Sequence, residues 1–132
     1  MSEAATHEGA ERWLVTGGCG FIGGVLVRRL LSRQQHVRVV DDLSVGSLAT
    51  LGDVAAIRQG NADSFGETWN GLQFIQSSVL DATAATAATA GADVIVHLAA
   101  NTGVGPSIEA PRKDCEINVV GTFNYLEAAR EN

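Results

Sequence analysis

The chain has 132 residues, 45% of them hydrophobic and 18% charged, enough for one domain with a core of its own. Fifteen acidic against nine basic residues leave a net charge of −6, which argues against a nucleic-acid or anionic-membrane surface, since either calls for a basic patch. Cys19 and Cys115 stand far apart with no CxxC or Cys/His cluster around them, so free thiols, a reducing compartment and no metal centre are expected.

The opening MSEAATHEGAER is polar and acidic, without the apolar core of an export signal. It predicts a flexible tail over residues 1–11 and a cytoplasmic chain, and no apolar run is long enough to span a membrane. RWLVTG then reads as a short buried parallel strand closed by Gly17. From Gly20 to about Arg33, Ile22, Val25, Leu26 and Leu30 recur at helical spacing, and Arg28, Arg29 and Arg33 gather where the helix dipole favours positive charge. HVRVVDD is a second strand, alternating, β-branched and ending in two acids. The Gly-rich stretch over residues 44–71 predicts loop with one short helix. LQFIQSS is a third strand and ADVIVHLAA a fourth; between them DATAATAATAGA favours helix but offers almost no large apolar face. From Pro111, Ile117, Val120, Phe123 and Leu126 trace an amphipathic stripe to the end. Strands alternating with helices predict an α/β domain with a parallel sheet.

VTGGCGFIGG carries the chemistry. Gly17, Gly20 and Gly23 follow one another at three-residue spacing between a strand and a helix. A helix N-terminus offers unpaired N–H groups and partial positive charge to a diphosphate. A side chain at Gly20 would block that approach, and one at Gly23 would push the helix off the sheet. About twenty residues on, Asp41 ends the second strand, where a carboxylate accepts hydrogen bonds from ribose hydroxyls and repels a 2′-phosphate. That combination favours NAD over NADP. Asp42 reads as a strand cap or a contact near the adenosine.

VTGGCGFIGG, VVDDLSVG and VIVHLAANTGVGPSIEAPRKDCEINVVGTFNYLEAAR resemble the extended short-chain dehydrogenase/reductase family, in particular its NAD-dependent nucleotide-sugar epimerases and dehydratases of the UDP-glucose 4-epimerase type. The likeness runs from about Arg12 to Arg130. It implies a Rossmann-type doubly wound sheet with helices on both faces. The chain would be its N-terminal half, four strands in the order 3-2-1-4 with the fourth an open edge. Residues 12–132 would be an NAD-binding domain incomplete at its C-terminal end. The resemblance also implies roles. The backbone at Phe21 and Ile22 would hold the diphosphate, Asp41 the ribose, and Asp42, Leu43 and Ser44 would line the adenosine end. Ser78 and Val79 would flank the adenine, although many relatives carry an Asp where Ser78 stands. Leu98, Ala99, Ala100 and Thr102 would line the nicotinamide half, although some epimerases carry a lysine where Thr102 stands, and Asn118 would help order the active-site side. His97, between Val96 and Leu98, reads as packed and hydrogen-bonded rather than as a base, and Cys19 as a small loop residue whose pKa a helix N-terminus could lower.

The family's chemistry needs a tyrosine, a lysine four residues later, and a Ser or Thr on a preceding strand. The one tyrosine, Tyr125, is followed four positions on by Ala129, and the one lysine, Lys113, precedes it. Tyr125 therefore reads as core or interface, and no catalytic residue is assigned. The parent reaction implied is transient oxidation of a sugar carbon by bound NAD followed by epimerisation or dehydration of a nucleotide sugar, with this chain alone inactive. Two alternatives stay open: a non-catalytic dinucleotide-binding sensor, and half of a split enzyme. A homodimer through the final helix, or a complementing C-terminal half, stays open as well.

Overall fold

The computed structural model describes residues 9–132, so the expected tail over residues 1–11 lies outside the described residues up to position 8. Five strands form one parallel sheet: β1 (Arg12–Thr16), β2 (His36–Asp41), β3 (Ile57–Gly60), β4 (Leu72–Gln76) and β5 (Val94–His97), in the order β3-β4-β2-β1-β5. The four expected strands keep their expected order as β4-β2-β1-β5. The correction is β3, which adds a fifth strand at one edge inside the stretch read as loop and helix. Its sequence, IRQG, supplies one half-buried apolar side chain and three exposed residues, so no hydrophobic run marks it.

The period of two along the strands assigns each side chain to a face. Leu14, Val40 and Ile75 face one core, which α3 (Ala82–Thr89) and α6 (Gly121–Glu131) close through Ala85, Ala88, Tyr125 and Ala128. Val15, Val37, Val39, Leu72 and Phe74 face the other, closed by α1 (Phe21–Ser32) through Val27 and Leu30 and by a single 3₁₀ turn (Leu48–Thr50) leading to Leu51. Each fully buried Val or Leu contributes about 1.5–3 kcal/mol, so both faces are needed for a chain of this size. α2 (Ala62–Phe65), α4 (Val104–Glu109) and α5 (Pro111–Cys115) are short, and a π turn (Glu116–Val120) joins α5 to α6.

Two helices turn part of their predicted apolar stripe outward: Leu26 and Leu30 of α1, and Ile117 before α6, pack into the core as their spacing predicts, but the rest of each stripe does not. α1 buries Gly23, Gly24, Val27 and Leu30, while Ile22 and Val25 are 69% and 62% exposed. α6 buries Gly121, Tyr125 and Ala128, while Val120, Phe123 and Leu126 lie exposed. In both, small residues let the backbone sit close to its neighbour, and that close approach outweighs the larger apolar side chains. α3 packs the same way through its alanines, with the Asp81 side chain accepting from the Ala84 N–H at 2.9 Å to start the helix.

Arg38, in the central strand β2, is fully buried. Its guanidinium donates to Gln73 Oε1 (2.9 Å) and to the carbonyls of Ala88 (2.8 Å), Gly66 (3.0 Å) and Thr68 (3.2 Å), and lies 4.0 Å from the centre of the Trp69 ring. One cation thus ties β4, α3 and the loop after α2 together. Among the described residues, no helix is long and apolar enough to cross a membrane.

Candidate dinucleotide site

The chain leaves β1 to the β2 side through α1, and returns on the other side of β1 only at β5. A crevice opens at such a reversal of strand order, outside the carboxyl ends of the strands. The glycine loop sits there. Gly17 has φ +70°, and a Cβ on it would lie 2.8 Å from Ala99 N, so glycine lets the loop and the exit of β5 touch. The Gly20 N–H donates to the Gly17 carbonyl (3.1 Å), closing the turn, and Gly24 N–H donates to Gly20 O (2.8 Å), starting the helix. No side chain caps this N-terminus and no acid stands in its first turn. A Cβ on Gly20 would meet only Gly17 O, at 3.3 Å, within the loop. Gly23 is required for a reason other than the expected one: its Cβ would fall 2.1 Å from Gly17 O and 2.8 Å from Gly18 Cα. Its missing side chain makes room for the loop itself rather than for helix–sheet contact.

Asp41 closes the loop from the β2 side. Its Oδ2 accepts from Cys19 N–H (3.0 Å) and its Oδ1 from Leu43 N–H (2.9 Å), which leaves each oxygen a further lone pair for a ligand hydroxyl. Leu43 takes a left-handed backbone at φ +61°, and the Asp42 side chain accepts from Ser44 N–H at 2.9 Å. Gly46, which sequence reasoning passed over, packs where a Cβ would lie 2.2 Å from Cys19 O. The glycine in SVGSL was the available signal. Cys19 itself is buried, and burial, with the Asp41 charge second, pushes its thiol pKa up to about 12. The expected lowering by the helix N-terminus is thus reversed. Phe21 stands 90% exposed at the mouth of the crevice.

At the exit of β4, Ser78 is exposed and its Oγ accepts from Leu80 N–H (3.1 Å), whereas Val79 turns into the core against Gly121. Of that pair only Ser78 offers its side chain to a ligand. At the exit of β5, Leu98 and Ala99 are half-buried and Ala100 and Thr102 exposed. Asn118, in the π turn, accepts from Asn101 N–H with Oδ1 (2.7 Å) and donates from Nδ2 to Asn101 O (3.0 Å). Asp114 Oδ1 receives both Asn101 Nδ2 (3.2 Å) and Asn118 Nδ2 (3.3 Å). The extra residue of a π turn re-aims a side chain, and here it aims an amide at both backbone polar groups of one residue. Asp114 and Asn101 were not singled out in the sequence, because neither belongs to a recognisable spacing. His97 is packed as expected, stacked on Tyr125 at 5.4 Å, with Nδ1 2.7 Å from Thr16 Oγ1; burial lowers its pKa. Tyr125 is 3% exposed, and burial raises its pKa. A separate cleft of about 270 Å³ at the exits of β3 and β4, lined among others by Asn61, Asp63, Gln76 and Asp81, includes none of the expected site residues.

The family described as NAD dependent epimerase/dehydratase matches residues 13–132. The chain belongs to that family. Within it, the chain is 39% identical over 120 residues to a UDP-glucose 4-epimerase of Mycolicibacterium smegmatis, covering 90% of this chain and 34% of that one. It is 38% identical over 122 residues to a dTDP-glucose 4,6-dehydratase of Escherichia coli, covering 89% and 30%. The fold of this family member superposes with a TM-score of 0.73 on the Thermus thermophilus UDP-glucose 4-epimerase solved with NAD, at 32% identity, covering 91% of this chain and 34% of that chain. The chain spans about a third of the length of the relatives it matches.

Proposed function

We propose that residues 12–132 form one unit that binds NAD in the crevice between the glycine loop and the exit of β5. The observation that carries this reading is the uncapped N-terminus of α1 beside a carboxylate, Asp41, that keeps free lone pairs. The residues suit the cofactor: beside Gly20 a Cβ would meet only the loop's own Gly17 O, and backbone N–H groups of Phe21 and Ile22 would neutralise a diphosphate there. Asp41 would accept from the ribose and disfavour a 2′-phosphate, with Asp42, Leu43, Ser44 and Ser78 around the adenosine. Leu98, Ala99, Ala100 and Thr102 would wall the nicotinamide end, and Asn118 would hold that wall through Asn101.

NAD, when bound, would take up hydride from a sugar carbon. The parent activity we propose is epimerisation or dehydration of a nucleotide sugar, since relatives with both names match at similar identity. This chain by itself supplies the binding half of that chemistry. Its tyrosine is buried against His97 and its lysine precedes it on α5, which supports reading this chain alone as inactive. The exposed stripe on α6 is where a second copy or a complementing half would pack, and two free thiols support a cytoplasmic home.

Calorimetric titration with NAD and with NADP tests the reading. Saturable NAD binding with much weaker NADP binding is expected, and Asp41→Ala should weaken NAD by about 1–3 kcal/mol while sparing NADP. Equal affinities for the two cofactors, or none for either in a folded chain, would overturn it.

A further inference from the structure

Thr16 ends β1 with a hydroxyl that meets three partners: His97 Nδ1 at 2.7 Å, Leu98 N–H at 3.0 Å and Ala99 N–H at 3.1 Å. A hydroxyl has two acceptor lone pairs and one proton. The two backbone N–H groups can only donate, so they occupy both lone pairs. The hydroxyl proton is left for His97 Nδ1, which must then be an unprotonated acceptor. His97 is thereby fixed as the neutral tautomer with its proton on Nε2, which is buried without a hydrogen-bond partner among the described residues. Were Nδ1 protonated, it would be a third donor on one oxygen, and the hydroxyl proton would lose its acceptor.

The same two amides belong to the segment that Gly17 admits. A Cβ at Gly17 would lie 2.8 Å from Ala99 N and 3.1 Å from Leu98 C, so loop and strand exit are already in contact there. Leu98 N–H is also shared with the Thr16 carbonyl at 3.2 Å. We infer that His97 is a positioning residue which, by orienting the Thr16 hydroxyl, latches the Leu98–Ala99 exit of β5 against the glycine loop. It acts through Thr16 and touches no ligand. The weight of the latch for function rests on the dinucleotide reading above, in which Leu98 and Ala99 wall the nicotinamide end.

The surroundings favour the neutral ring. Tyr125 of α6 is the titratable group packed on it, and burial keeps that phenol protonated. Asp81, at the start of α3, acts on Tyr125. Burial lowers the pKa of His97, so the acceptor form persists below the ordinary histidine range.

Long-range proton–nitrogen correlation spectra of the full 132-residue chain give the first test, with the His97 signals assigned through a His97→Gln variant. The Nε2–H tautomer is expected at neutral pH, and an Nδ1–H ring would overturn the latch whether or not any variant folds. Amide hydrogen exchange gives the second. Leu98 and Ala99 should exchange about tenfold faster in Thr16→Val, with Val39 unchanged, and regain protection in Thr16→Ser, which restores the hydroxyl. Equal exchange in wild type and Thr16→Val would also overturn it. Adding NAD separates the two ideas. A wild-type chain with the latch intact that binds no NAD would sink the dinucleotide reading alone. NAD binding of equal strength in wild type and Thr16→Val would remove the latch from function.

Discussion

Gly23→Ala sets two physical effects against each other inside one helix. In an exposed helix interior the change from glycine to alanine stabilises by about 1 kcal/mol, through backbone entropy. At Gly23 the new methyl would lie 2.1 Å from Gly17 O, whereas ordinary contact begins at 3.4 Å. The carbonyl must therefore retreat by about 1.3 Å, and it belongs to a turn already closed by the Gly20 N–H. Forcing an extra carbon into packed backbone costs about 1–3 kcal/mol, and a backbone obstacle places this case at the upper end. The balance is a net loss of about 2 kcal/mol. With a urea dependence of about 1.5 kcal/mol/M, the unfolding midpoint should drop by about 1.3 M. Gly52→Ala, after the 3₁₀ turn, where a Cβ would meet nothing closer than 3.8 Å, is the control and should hold or raise the midpoint. A Gly23→Ala midpoint equal to or above wild type would show that the loop carbonyl yields freely and that the spacing argument is wrong.

Arg38→Met removes a fully buried cation and strands Gln73 Oε1 and the Ala88 carbonyl, so a loss of about 3 kcal/mol in urea unfolding is expected; a loss under 1 kcal/mol would mean those acceptors find new donors. Cys115 is exposed and Cys19 buried with a raised pKa, so mass spectrometry after brief iodoacetamide treatment at neutral pH should find label on Cys115, and on Cys19 only after unfolding. Burial depresses the folded-state pKa of His97 below 6.5, so on acidification the unfolded chain takes up this proton first. The stability that neutral His97 contributes is complete above about pH 6.5 and is lost as pH falls through the lower folded value. Urea midpoints of wild type and His97→Gln should therefore converge in acid; a gap that widens would refute the assignment.

What could be read in the sequence and what could not divide along one line. Chain-local signals carried through: the glycine spacing, Asp41 at the end of an alternating strand, and the existence of four of the five strands, whose order the family resemblance implied. Each depends on residues near one another. The misses depend on who the neighbour is. Ile22 and Val25 have the right period for a core face, yet α1 turns them outward while Gly23 and Gly24 seat it against the glycine loop and Thr50. Phe123 and Leu126 likewise lose to Gly121 and Ala128. β3 has a backbone ladder with β4 but almost no apolar content, and ladder pairing leaves no mark in composition. Nothing in HVRVVDD marks Arg38 as buried. Partners far along the chain make its burial tolerable: Gln73 Oε1 and the carbonyls of Ala88, Gly66 and Thr68. In the site, the glycine loop was legible, whereas the Thr16–His97 contact and the Asn101–Asn118–Asp114 network join residues 13 to 81 positions apart or rely on a π turn that no periodicity announces.

The outward stripe on α6 has a consequence for handling the protein at high concentration. Molecules carrying six net negative charges repel one another, but that repulsion reaches only about 10 Å in 0.1 M salt and less beyond it. Exposed valine, leucine and phenylalanine are attracted more strongly as excluded salts are added. Salt therefore removes the force that keeps copies apart and strengthens the one that draws them together. The concentration this chain tolerates should fall steeply with ionic strength while its folding stability holds or rises, so solubility, rather than unfolding, sets the ceiling.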